Sequence, residues 1–161
     1  MNQAEIRVLM NDRVAQNLIQ APIHARLAYI AKDGSPRVVP IGYIWNGHVF
    51  VVGSPPNAPK LKALSANPKV ALTIDTDDFP PNILLVRGEA ALATVGGVPD
   101  EFVEAARRFV GDERMPEWEA EARGLYKQIV LIRITPTWAK IIDFETRLPR
   151  YVEELINQHN P

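Results

Sequence analysis

Cysteine is missing altogether from the 161 residues, so disulfides, thiolate metal sites and cysteine nucleophiles are excluded. Histidine is scarce. His24, His48 and His159 are scattered, with no His-x-x-x-His or His-carboxylate spacing, so no metal site is expected. No apolar run approaches the ~18 residues that a transmembrane helix needs. The formal net charge is -1, without the basic excess of a general nucleic-acid binder. There is no Gly-x-Ser-x-Gly elbow, no Walker-type loop and no Gly-x-Gly-x-x-Gly. The first residues, MNQAEIRVLMNDRVAQ, lack the basic region and apolar stretch of a secretory signal. The expectation is a cytoplasmic protein that engages neither nucleic acid nor membrane.

Hydrophobic residues make up 47% of the chain, enough for one compact core. The length predicts a single domain over 1–161, with a core over about 20–145. Ile6, Leu9, Met10, Val14 and Leu18 recur at helical spacing and predict an N-terminal helix over 3–18. RLAYIAK at 26–32 and RVVPIGYIW at 37–45 read as strands around the Asp33-Gly34 turn. Pro40 cannot donate to a ladder, so the second strand has an edge, a bulge or a special contact there. Asn46-Gly47 then predicts a tight hairpin into HVFVVG at 48–53. KLKALSAN reads as a short helix, and strands follow at 70–75 and 83–95. Arg87-Gly88 within the latter predicts a bulge or a close backbone approach. Helices are expected from Pro99-Asp100 and over 116–126, then strands over 128–134 and 138–144. Tyr151, Val152, Leu155 and Ile156 mark a docked C-terminal segment over 146–161. Short antiparallel strands with helical inserts predict a mainly β, or α+β, closed or partly closed barrel.

The charges that stand out are Lys60 and Lys62. Asn57 reads as the cap of their helix, and Pro59 is tolerated in a first turn. Lysines there oppose the partial positive charge of a helix N-terminus, and no acidic residue lies between Gly53 and Lys69. An anion docked at that end reverses the penalty. Solvated lysines on a surface helix are the competing reading. Arg37 is either a second phosphate ligand or an edge charge that discourages aggregation. Asp75, Asp77 and Asp78 lack the regular oxygen spacing of a metal loop and read as solvated. Trp45, Trp118 and Trp138 serve packing or stack on a planar ligand. No nucleophile or acid–base pair is recognisable, so the catalytic residues are unknown.

RLAYIAKDGSPRVVPIGYIW, HVFVVGSP and APKLKALSANPKVALTID, in this order and spacing, resemble the pyridoxamine 5'-phosphate oxidase-like family. LVRGEA at 85–90 and ITPTWAKIID at 134–143 look like its fifth and closing strands. The resemblance implies a Greek-key split β-barrel of the FMN-binding type, and a homodimer with cofactors at the subunit interface. It implies that Arg37 and Lys60 bind the cofactor phosphate, with Lys62 assisting. Val38, Val39 and Pro40 would line the flavin ring, and Gly53 and Ser54 would contact the ribityl chain or phosphate. Trp138 would close the site from the partner subunit. True pyridoxamine phosphate oxidases carry a C-terminal Arg-x-His segment. This chain ends DFETRLPRYVEELINQHNP without one, which argues against vitamin B6 oxidation. The implied function is an FMN-dependent oxidoreductase for a small molecule. The alternatives are a reductase using an 8-hydroxy-5-deazaflavin, or a flavin carrier without turnover.

Overall fold

The computed structural model describes residues 1–159. Two short helices, α1 (Gln3–Met10) and α2 (Arg13–Gln20), open the chain. They replace the single helix expected over 3–18. Asp12 causes the division: it is extended, and its carboxylate caps α2 by accepting the Val14 N–H at 2.8 Å. Seven strands follow: β1 (Ala25–Ile30), β2 (Pro36–Ile41), β3 (Ile44–Trp45), β4 (Phe50–Ser54), β5 (Lys69–Asp75), β6 (Ile83–Gly96) and β7 (Gln128–Ile142). Helix α3 (Pro59–Ala66) lies between β4 and β5, and α4 (Asp100–Val110) and α5 (Met115–Leu125) between β6 and β7. The last helix is α6 (Arg150–His159).

All pairings are antiparallel, in the order β2-β1-β5-β6-β7-β4-β3. The two edge strands, β2 and β3, are consecutive in the chain and separated only by Gly42-Tyr43. The sheet must therefore curl until its edges meet, which makes it a split barrel. The single strand expected over 37–45 is accordingly two. Its first half pairs with β1 and its second with β4. The Asn46-Gly47 hairpin is present, with Asn46 Oδ1 accepting the His48 and Val49 N–H groups. Gly47 supplies the positive φ, +92°, that this turn requires.

Strand β7 also departs from expectation. Pro136 does not split it into strands over 128–134 and 138–144. A bulge opposite Arg87 and Gly88 absorbs the proline, and the strand runs on to Ile142. Gly88 is needed there, because a Cβ would meet the Thr135 carbonyl oxygen at 2.5 Å.

The barrel interior is filled by Leu27, Phe50, Leu72, Ile74, Leu84 and Ile132. Ile6, Met10, Leu18 and Ile19 from α1 and α2 pack on it, as do Leu61 and Leu64 from α3. A second cluster joins Val103 of α4 and Met115 of α5 to Val51, Ile129 and Leu131. Helix α4 is tied to the barrel by Arg108. Its guanidinium lies 4.6 Å from the Tyr43 ring and donates to the Ile19 and Tyr43 carbonyls. The segment expected to dock over 146–161 divides. Pro149 is buried and Arg147 and Leu148 are half-buried, whereas α6 forms with Val152 half-buried and none of its described residues fully buried. Residues 160–161 lie outside the described residues.

Candidate functional site

Helix α3 begins at Pro59, and its cap is Ala58, not Asn57. Alanine offers no side-chain acceptor, and the first turn holds no acidic residue. Its first N–H groups are thus left without a side-chain partner, which favours an anion. Asn57 is displaced into the wall of an adjoining cleft of ≈ 490 Å³. That cleft is also lined by Tyr29, Lys32, Asp33, Arg37, Pro59 and Lys62.

The β1–β2 turn faces the start of α3 across this cleft. Three cations line it, Lys32, Arg37 and Lys62, against one carboxylate, Asp33. Arg37 Nη2 lies 3.7 Å from Asp33 Oδ2, and Nη1 donates to Ser35 Oγ at 2.6 Å. The Ser35 hydroxyl and N–H in turn hydrogen-bond Asp33, hold its carboxyl below the usual range and keep it ionised. Both partners of the Arg37–Asp33 pair are substantially exposed, so the pair is weak and an anion can compete for the guanidinium.

Lys60 differs from Lys62. Lys62 is exposed, whereas Lys60 is half-buried. Burial pushes the Lys60 ammonium below its ordinary pKa, and no neighbouring carboxylate offsets this. A half-buried cation without an internal counter-ion is a group that an external anion would satisfy.

The remaining expected residues are distributed as follows. Register places Arg37 and Val39 opposite Tyr29 and Leu27, whose side chains are buried. Val38 and Pro40 face the other way, onto the outer side of the sheet, and Val38 is 64% exposed. Pairing links Val38 to Ala28, Ala28 to Ala71, Ala71 to Arg87 and Arg87 to Trp138. These five residues form one lateral row, with the two alanines making a low floor between Val38 and Trp138. At ~4.8 Å per strand the row spans roughly 19 Å. Arg87 folds over the Trp138 ring at 4.5 Å. A mostly apolar cleft of ≈ 420 Å³ lies on this floor, bordered by Ile30, Pro36, Lys69 and Arg87. Tyr29 lines both this cleft and the cationic one.

Gly53 and Ser54 are not brought to either cleft. The Phe102 ring covers Gly53 so closely that a Cβ would collide with it. Ser54 is fully buried, and its hydroxyl donates to the Pro55 carbonyl at 3.2 Å. The residue that sequence reading missed is Lys32. The available signal was its place beside the Asp33-Gly34 turn, which the hairpin register brings back next to Arg37. Among the described residues, no group of three or more His, Asp or Glu side chains is placed to hold a metal ion.

The family model described as pyridoxamine 5'-phosphate oxidase matches residues 12–143. The chain belongs to this family. The matched range holds every strand and every candidate ligand named above. Solved structures share the split-barrel fold. An F420 reductase is 25% identical with a TM-score of 0.62, covering 78% of this chain and 94% of that one. A heme storage protein from Vibrio cholerae is 18% identical with a TM-score of 0.57, covering 80% and 90%. A FAD-binding protein from Mesorhizobium loti is 21% identical with a TM-score of 0.54, covering 78% and 89%. No curated protein matches the chain. The family's fold thus accommodates chemically different cofactors, and the choice among them rests on local residues.

Proposed function

We propose that the protein is an FMN-dependent oxidoreductase acting on a small molecule. The observation that carries this reading is the unneutralised cation set at the start of α3. Lys32, Arg37 and Lys62 line the cleft beside that helix start with one exposed carboxylate between them, and Lys60, outside the lining of that cleft, is half-buried without a carboxylate partner among the described residues. A phosphate monoester dianion suits that excess. The apolar floor of Ala28 and Ala71 next to it, with Val38 and Pro40 on the outer side of β2, suits a planar ring.

FMN, when bound, supplies the hydride chemistry. The protein's part is to anchor the phosphate, present the ring and exclude water. This accounts for a site without an obvious nucleophile or acid–base pair. The exposed Val38 and the outer sheet face also suit a second copy of the chain, so we take the active form as a homodimer, with Trp138 closing the partner's site.

The 25% identity to an F420 reductase favours a second reading, in which the cofactor is the 8-hydroxy-5-deazaflavin. Titration of cofactor-free protein with FMN, F420, FAD and heme, followed by visible absorption, separates these. The expected result is saturable FMN binding, followed by reduction of the bound flavin by nicotinamide donors and reoxidation by an acceptor. Failure to take up FMN overturns the proposal. Uptake without any reduction or reoxidation points to a carrier.

A further inference from the structure

Every other helix buries at least two of its residues, whereas α6 buries none. Its side chains are nonetheless segregated. Tyr151, Val152, Leu155 and Ile156 fall on one stripe, with Arg150 and Asn157 on the opposite side. Tyr151 is 68% exposed and Leu155 52%. A helix of 10 residues is marginal alone in water, so this stripe needs a surface.

The root of α6, by contrast, is firmly built. The buried Asp143 carboxylate accepts the N–H groups of Glu145, Thr146 and Arg147 and the Thr146 hydroxyl. Arg147 then reaches Asp12 at 3.1 Å, which ties the root to the cap of α2. Phe144 adopts a positive φ of 59°, and Pro149 is buried just before the helix. The chain is therefore held up to Pro149, and beyond it α6 is covered only in part, at Val152.

A second copy of this chain offers a matching surface. Its outer sheet face is apolar around Val38, Ala28, Ala71 and Trp138. Lys69, Arg87 and Lys140 sit on that face against one carboxylate, Glu89, which lies opposite Lys69, and none of the three has an ion-pair partner among the described residues. Glu153 and Glu154 flank the α6 stripe on its two sides; Glu154 pairs with Arg150 at 2.7 Å, and Glu153 is unpaired among the described residues. The arm's free charge is thus negative and the face's excess is positive. Strand β7, which carries Trp138 and Lys140, leads directly into the root of α6. A twofold arrangement on this face repeats each contact reciprocally, so each arm lies beside the other copy's face.

We infer that α6 is a dimer arm, whose Tyr151, Val152, Leu155 and Ile156 stripe docks on the outer sheet face of a second copy and walls the cofactor floor there. The inference rests on the dimeric reading above. Sedimentation equilibrium tests it on the full chain, on the double variant Leu155→Asp/Ile156→Asp and on a chain ending at Leu148. Wild type should be dimeric at micromolar concentration. Both variants should weaken dimerisation by about tenfold or more, as loss of anchor side chains does, with an unchanged β-sheet circular dichroism signal. Glu153→Lys should weaken it less, and Lys140→Glu in the same chain should restore it. A double variant that dimerises as tightly as wild type overturns the arm and leaves the dimer standing. A monomeric wild type overturns the dimeric reading itself. Unimpaired dimerisation with stripe-dependent binding to phosphatidylglycerol vesicles would assign the stripe to lipid and overturn the arm.

Discussion

Two charged regions of this molecule are built in opposite ways. At the end of β7, Asp143 is surrounded by three N–H groups and a hydroxyl, and Arg147 joins it to Asp12. Its charge is satisfied from within. At the start of α3, Lys60 has no carboxylate partner among the described residues, and in the adjoining cleft three other cations share one exposed carboxylate. Charge satisfied by the chain holds the fold together. Charge left in excess beside a cleft is what a ligand of opposite sign completes.

The largest effect that would sharpen this contrast is on stability. Asp143→Ala should lower unfolding free energy by about 2–4 kcal/mol, through loss of charge-assisted hydrogen bonds in a partly buried loop. The advantage that the phosphate gives FMN over riboflavin should not change. Urea unfolding and a flavin titration on the same variant check both halves. The acid limb carries the same information. Burial pushes the Asp143 carboxyl up, but the Thr146 hydroxyl and the N–H groups of Thr146, Arg147 and Glu145 outweigh it and hold the pKa well below the usual range. A depressed carboxylate stabilises the fold above the unfolded value of about 3.9, and that contribution fades as pH falls below it. Asp143→Ala should flatten this limb.

Lys60→Ala comes next, with the opposite signature. Cofactor affinity should fall by roughly 1.5–3 kcal/mol, while stability without cofactor stays level or rises. A variant that loses stability and keeps affinity would make Lys60 a structural residue and erase the contrast. Smaller again are Lys32→Ala and Lys62→Ala. Each should cost about 0.3–1 kcal/mol of cofactor affinity, as exposed charges do, and should flatten its salt dependence. The smallest effect is at alkaline pH. Burial lowers the Lys60 pKa in the folded chain, so its penalty is present at neutral pH and relieved as pH rises through the folded pKa towards the unfolded value. Wild-type protein should gain slightly in stability there, and Lys60→Met should not.

Much of the barrel was legible because its signals are local. Asn46-Gly47 marks a turn by its own backbone needs, and Gly88 marks the bulge by its missing Cβ. The division of 37–45 was not legible. Gly42-Tyr43 resembles any strand interior, and only closure of the barrel forces the two halves onto different partners. Pro136 read as a break because the compensating residue, Gly88, is distant in sequence. In the site, Lys60, Lys62 and Arg37 could be read from charge placement and resemblance. Lys32 joins them only through the β1–β2 register. Gly53 and Ser54 lie in the family pattern, but Phe102, from an inserted helix, covers the first, and burial removes the second. The α6 stripe was visible as a pattern, yet nothing in one sequence says whether its partner is the same chain.

The central claim is that the cations at the start of α3 hold a cofactor phosphate. Riboflavin differs from FMN only in lacking that phosphate, so parallel fluorescence titrations of the cofactor-free protein test the claim most directly. FMN should bind on the order of 100-fold more tightly than riboflavin, about 2.7 kcal/mol, with the advantage shrinking as salt is raised. Equal affinity for the two, insensitive to salt, would contradict it.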